Sequence, residues 1–120
     1  MVTEADHPDI FIDMQVFDQD VIAAESAALF RLLGDPNRIR ILQTLADADE
    51  LCVHEIAEAV GTNETKVSQA LRLLRTAGVV RNRRDGRHIH YRLDDDHVRT
   101  LLGVTTAHLA HLAPHRPGPP

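Results

Sequence analysis

The sequence predicts a mainly α-helical domain with a β-hairpin wing, a winged helix-turn-helix. Three observations carry this expectation. Two short helical patterns flank the turn Gly61-Thr62-Asn63, two strand-like runs follow directly, and a longer helical pattern closes the chain. The expected order is four helices, two strands and a fifth helix, with two copies of the chain pairing through their terminal helices. At 120 residues, 43% apolar and 26% charged, the chain fits one small domain with a modest core and leaves no room for a second.

Residues 1–17 interleave Ile10, Ile12, Met14, Val16 and Phe17 with acids. They read as an N-terminal arm, either mobile or packed on a partner, ahead of a folded domain over residues 18–113. From Asp20 the apolar residues Val21, Ala24, Ala28 and Leu32 recur at helical spacing, and Gly34 suits the end of that helix. Asp35-Pro36 opens the second helix, with aspartate as N-cap and proline at the first helical position, above a stripe of Ile39, Leu42 and Leu45. A polar turn over residues 46–50 leads to a short helix near Val53–Val60, closed by Gly61. Asn63 caps the fourth helix, which buries Val67, Leu71 and Leu74 and stops at Gly78. Residues 79–83 and 88–93 read as strands, the second alternating cleanly through Ile89, Tyr91 and Leu93. The tip Arg84-Asp85-Gly86-Arg87 holds the Asp-Gly pair of a hairpin turn. The last helix covers about residues 96–113, and residues 114–120, ending PGPP, read as a disordered tail.

Composition bounds the setting. A single cysteine, Cys52, rules out an intrachain disulfide and suits a reducing compartment. The acidic start has no signal-peptide pattern, and no apolar run approaches the ~20 residues of a membrane span, so a cytoplasmic protein without membrane contact is expected. The net charge of -5 hides an uneven distribution. Residues 62–92 hold only Glu64 and Asp85 against Lys66, Arg72, Arg75, Arg81, Arg83, Arg84, Arg87 and Arg92, a local excess of 8 − 2 = +6 on the helix-turn-helix and hairpin.

That placement points to double-stranded DNA. With Val67, Leu71 and Leu74 inward, helical geometry turns Thr65, Lys66, Ser68, Gln69 and Arg72 outward, where a recognition helix meets base edges. A glutamine such as Gln69 pairs bidentately with adenine, and hydroxyls such as Thr65 and Ser68 serve bases or phosphates. Arg83, Arg84 and Arg87 on the hairpin are placed to contact phosphates, adding affinity rather than sequence choice.

The last helix carries Asp95-x-His97 and, ten residues on, His108-x-x-His111. Around the axis His108 lies about 20° to one side of His97 and His111 about 40° to the other, so the three imidazoles share one face. His97, Leu101, Val104, His108 and His111 follow the spacing of a helix–helix seam. His97 and His108 are nevertheless about 16 Å apart along the axis, too far to share one ion within a chain. Two such helices crossing antiparallel in a homodimer bring the Asp95/His97 end of one to the His108/His111 end of the other. Three nitrogens and one oxygen suit tetrahedral Zn2+; added ligands, for which His7 and His115 are available, favour Co2+ or Ni2+. Cys52 with His54 and Glu55 at the start of its helix is a weaker candidate ligand group, a lone cysteine there being more often packing, and His88-x-His90, a two-ligand fragment on one strand face, reads first as a solvent- or DNA-facing part of the wing. No nucleophile–base–orienter set is visible, and no enzyme is expected.

The stretches LGDPNRIRILQTL, ELCVHEIAEAVG, TNETKVSQALRLLRTAGVV and RRDGRHIHYRL running into DDDHV together resemble the ArsR/SmtB family of metal-responsive repressors, over roughly residues 20–112. The resemblance implies that Asp95, His97, His108 and His111 are sensing ligands, as in the family's zinc- and cobalt/nickel-responsive branch. It also implies that His108 donates its second ring N–H to the backbone carbonyl near Gly78. Arsenic, lead and cadmium sensors of the family carry Cys-Val-Cys where this chain has Cys52-Val53-His54, and no cysteine precedes Cys52. The expected function is therefore a repressor that leaves its operator when zinc binds. Cobalt or nickel sensing, or the same fold answering a redox or small-molecule signal, are the alternatives. A metal hydrolase or a purely protein-binding winged helix is the reading from a different class.

Overall fold

The computed structural model describes residues 18–113, so the N-terminal arm, the tail, His7 and His115 lie outside the described residues. The elements are α1 (Gln19–Leu33), α2 (Pro36–Asp47), β1 (Leu51–Cys52), α3 (Val53–Val60), α4 (Glu64–Thr76), β2 (Val80–Asp85), β3 (His88–Leu93) and α5 (Asp96–Leu112). This is the winged helix-turn-helix with one strand more than expected. The chain divides into two units, one ending at Gly34 and one beginning at Asp35.

In the first unit α1 begins one residue earlier than the apolar spacing suggested, because Asp18 is the N-cap and its carboxylate accepts from the Val21 N–H at 2.8 Å. Gly34 ends the helix without the left-handed turn glycine usually supplies, its φ being −79°. Its role is close approach, since a Cβ there would stand 3.2 Å from the Phe30 carbonyl oxygen. Val21, Ala24 and Ala28 of the expected stripe stay exposed, as do Leu29 and Phe30.

In the second unit the Asp35 carboxylate accepts from Arg38 N–H with Pro36 in the first turn, as the sequence indicates. The buried stripe of α2 is Ile41, Leu42 and Leu45; Ile39 is only half-buried, so the inward face lies nearer Ile41 than the spacing of Ile39 and Leu42 suggested. Gly61 closes α3 at φ +80°, and its N–H and that of Thr62 both donate to the Ala57 carbonyl. Asn63 then caps α4 through Lys66 N–H at 2.8 Å. Val67, Leu71 and Leu74 are fully buried with Ile41, Leu42, Leu45, Ile56 and Val80, which fixes the roll of α4 about its axis.

The sheet is antiparallel in the order β1-β3-β2. The two-residue β1, too short to show an alternation in sequence, pairs Leu51 with Tyr91 and Cys52 with His90. At the wing tip Asp85 pairs with His88, so the two loop residues are Gly86 and Arg87 rather than Asp85 and Gly86. Gly86 has φ +63°, and no described residue other than glycine has positive φ, the pattern of a type II′ turn with glycine at its first central position. The last helix ends at Leu112 and buries none of its 17 residues.

Candidate metal centre and nucleic-acid interface

The roll of α4 decides which side chains face outward. With Val67, Leu71 and Leu74 inside, Thr65, Lys66, Ser68, Gln69 and Arg72 are all exposed, as the sequence led us to expect. Leu73 is exposed too, at 46%. With Lys66 and Gln69 of α4 and Asn37 and Arg38 of α2 it borders a shallow groove of about 210 Å³. Sequence reading passed over Leu73, since a leucine beside a buried leucine reads as core.

Strand alternation sorts the wing's arginines. Arg81 and Arg83 share one face of β2 and both find acids there. Arg83 Nε lies 2.9 and 2.8 Å from the two Glu50 carboxylate oxygens, with Nη2 2.8 Å from Oε1. The hydrogen bond from Arg83 holds the Glu50 carboxyl below its ordinary value, and the same bond raises Arg83. Arg81 Nε meets Asp94 Oδ1 at 3.3 Å. Arg84 and Arg87 are exposed and form no ion pair among the described residues. Of the three hairpin arginines expected to meet phosphate, Arg83 is thus turned toward Glu50, a pairing across 33 residues that no local pattern announces.

The ligand-type residues of α5 fall into two pairs. Asp95 is the N-cap, its Oδ1 accepting from His97 N–H at 2.9 Å while Oδ2 lies 3.1 Å from His97 Nδ1. About four turns further on, the His108 and His111 rings lie with centroids 6.5 Å apart, inclined by 30°. All four residues are exposed, and within the chain the pairs stay apart; among the described residues no three His, Cys, Asp or Glu groups converge as a ligand set. Between them the seam residue Val104 is 62% exposed and Leu101 half-buried, while Leu109 nearby is 45% exposed. Among the described residues His108 makes no hydrogen bond to Gly78, and its ring lies beside that of His111. The donor chemistry, three imidazoles and a carboxylate open to solvent, fits a borderline divalent ion.

Residues 35–82 match the family model described as "Bacterial regulatory protein, arsR family". The chain is 45% identical over 89 residues to the HTH-type transcriptional regulator KmtR of Mycobacterium tuberculosis, covering 74% of this chain and 68% of the relative. It is 41% identical over 87 residues to a transcriptional repressor SmtB homolog of Synechocystis, covering 72% and 65%. The chain belongs to the ArsR family. A solution structure of the homodimeric winged helix-turn-helix DNA-binding domain of Mb0332 from Mycobacterium bovis, a possible ArsR-family regulator, superposes with TM-score 0.73 at 27% identity, covering 85% of this chain and 94% of that one. This ArsR-family chain spans about two thirds of the length of the two curated relatives. Among the described residues, no helix is long and apolar enough to cross a membrane.

Two smaller groups in this ArsR-family chain are resolved by the structure. Cys52, His54 and Glu55 do not gather around one point. Glu55 reaches back to the Cys52 N–H at 2.9 Å, a bond that, together with its contact to the Cys52 side chain, lowers the Glu55 carboxyl. His54 turns away along the helix instead, Nε2 at 2.9 Å from Glu58 and Nδ1 at 3.3 Å from Glu64, and so ties α3 to the first turn of α4. The wing histidines His88 and His90 lie with ring centroids 6.4 Å apart at 45°.

Proposed function

We propose that this chain is a cytoplasmic, homodimeric repressor that holds operator DNA in its metal-free form and releases it when zinc binds at the seam between the two α5 helices. Asp95 and His97 of one protomer and His108 and His111 of its partner would hold each ion, giving two equivalent sites per dimer. The observation that carries this reading is the division of α5. Two ligand pairs stand at opposite ends of a 17-residue helix that buries no residue, with exposed Val104 between them on the same face. An antiparallel second copy covers that apolar face and unites the pairs in one step. The homodimeric relative of the same fold supports the pairing, and the repressor named among the relatives supports the direction of regulation.

The bound ion would supply cross-linking of two helix ends from different subunits. The chain's own residues do the rest. Thr65, Lys66, Ser68, Gln69 and Arg72 read and grip the major groove, and Arg84 and Arg87, with the remaining N–H groups of Arg83, lie along the phosphate backbone. Ligand release of DNA follows if metal prefers the dimer geometry in which the two α4 helices no longer match successive grooves; swinging occupancy from 1:99 to 99:1 takes a preference of ~5.5 kcal/mol.

Fluorescence anisotropy on operator DNA, with Zn(II), Co(II), Ni(II) and Cd(II) added in turn, tests the reading and ranks the metals. His108→Ala should bind the operator as wild type does and fail to release it with zinc. Unchanged release in that variant contradicts the assigned site, and a wild-type protein indifferent to all four ions leaves a redox or small-molecule signal as the reading.

A further inference from the structure

Asp94, Asp95 and Asp96 are three consecutive acids at the junction of wing and α5, and each is engaged in a different direction. Asp96 pairs with Arg99 Nη1 at 2.8 Å, one turn along the same helix. Asp95 turns its carboxylate onto His97. Asp94 alone of the three turns back to the DNA-binding half, through Arg81 Nε on β2 at 3.3 Å. Its backbone joins the same side. The Asp94 N–H donates to the Val79 carbonyl at 3.0 Å, and the Val79 N–H donates to the carbonyl of Leu74, the last buried residue of α4, at 2.9 Å. One rigid peptide unit therefore separates a candidate metal ligand from a residue bonded to the wing by its side chain and, through Val79, to the end of the recognition helix.

We propose that Asp94 is the positioning residue that couples the metal seam to the wing, acting through Arg81; this rests on the metal-responsive reading above. Asp95 is both the cap of α5 and a candidate ligand, so drawing its carboxylate onto an ion would compete with its contact to His97 Nδ1 and would shift the first turn of the helix. Asp94 passes that displacement on because its carboxylate and its N–H are both committed to the β2 side. Asp96 has no such link to the wing: its partner Arg99 lies on α5 itself and reaches the Ala46 carbonyl of α2 at 3.3 Å, away from β2. An exposed ion pair of this kind is worth up to about fivefold in an equilibrium, and that bounds the effect.

The test compares wild type, Asp94→Asn, Arg81→Asp and the charge-reversed double variant Asp94→Arg/Arg81→Asp. Operator affinity is measured with and without Zn(II), and Zn(II) affinity by competition with a chromophoric chelator, with and without operator. The quantity read is the ratio of metal-free to zinc-bound operator affinity. Asp94→Asn, which keeps the backbone bond, should lower that ratio about three- to fivefold, leave zinc affinity of the free protein unchanged, and lose the same factor in the reciprocal effect of operator on zinc binding. The double variant should recover most of the ratio lost in Arg81→Asp. A merely structural role, or a general change in charge near DNA, weakens both operator affinities in proportion and leaves the ratio alone; that result, or a wild-type ratio in Asp94→Asn, overturns the proposal while wild type still answers zinc. A wild-type protein that binds no zinc at the seam, or binds it without releasing DNA, overturns the functional reading and this proposal together.

Discussion

Helices α4 and α5 are built from similar materials and end in opposite conditions. Each has an apolar stripe at helical spacing and a set of polar side chains. In α4 the stripe of Val67, Leu71 and Leu74 is wholly buried, and the polar residues stand on the other side, free to meet a ligand. In α5 no residue is buried, and the histidines share the face of the apolar seam. The difference teaches where each helix would keep its proposed function. A helix whose core face is satisfied inside the chain works with its outer face; a helix whose apolar face is open in the chain can work with that same face once a second copy covers it.

The sharpest way to break the comparison is to truncate each stripe. Leu71→Ala leaves a cavity in a fully buried site and should cost about 2–5 kcal/mol in denaturant unfolding. Gln69→Ala, two residues before it on the outer face, should leave unfolding alone and relax discrimination at one base pair by about 1–3 kcal/mol in operator binding. Val104→Asp should leave the fold intact by circular dichroism and weaken dimerisation in analytical ultracentrifugation tenfold or more, about 1.4 kcal/mol. A Val104→Asp chain that dimerises like wild type would remove the distinction drawn between the two helices.

Smaller effects sharpen it. Asp95→Ala loses both the cap and the candidate ligand, whereas Asn is as good an N-cap as Asp. Asp95→Ala should therefore lower metal-free stability by about 1 kcal/mol and Asp95→Asn should not, while both weaken zinc binding. The Glu50 and Glu55 carboxyls are held below their ordinary values, chiefly by Arg83 and by the Cys52 N–H. Their contribution is complete above the unfolded carboxylate value and is lost as pH falls through the lower folded one, so unfolding midpoints should decline on acidification below the ordinary carboxylate range. Glu50→Gln should flatten that decline.

Much of the architecture was legible because local rules and tertiary packing agree. Asp35-Pro36, Gly61 and Asn63 are start and stop signals whose chemistry is local, and the inward set of α4 is a simple period. The rest depended on distance. Strand β1 exists only through its pairing with Tyr91 and His90, and Glu50 is recognisable as the partner of Arg83 only once the sheet is folded. The Asp-Gly pair marked the hairpin but not its register, because a type II′ turn places glycine one position earlier than the Asp-Gly pattern implied. On α5 the sequence revealed which residues share a face; the structure added that Asp95 caps the helix and that His97 is its bonding partner.

Complementation between two crippled chains tests the central claim most directly. One chain carries Asp95→Ala and His97→Ala, the other His108→Ala and His111→Ala, so neither homodimer holds a complete ligand set. If the sites are shared across antiparallel helices, mixing the two should restore tight zinc binding to about a quarter of the wild-type capacity after statistical exchange, since each mixed dimer regains one intact site. A mixture that binds no more zinc than its separate components, although ultracentrifugation shows the subunits have exchanged, would contradict a metal centre built from both chains.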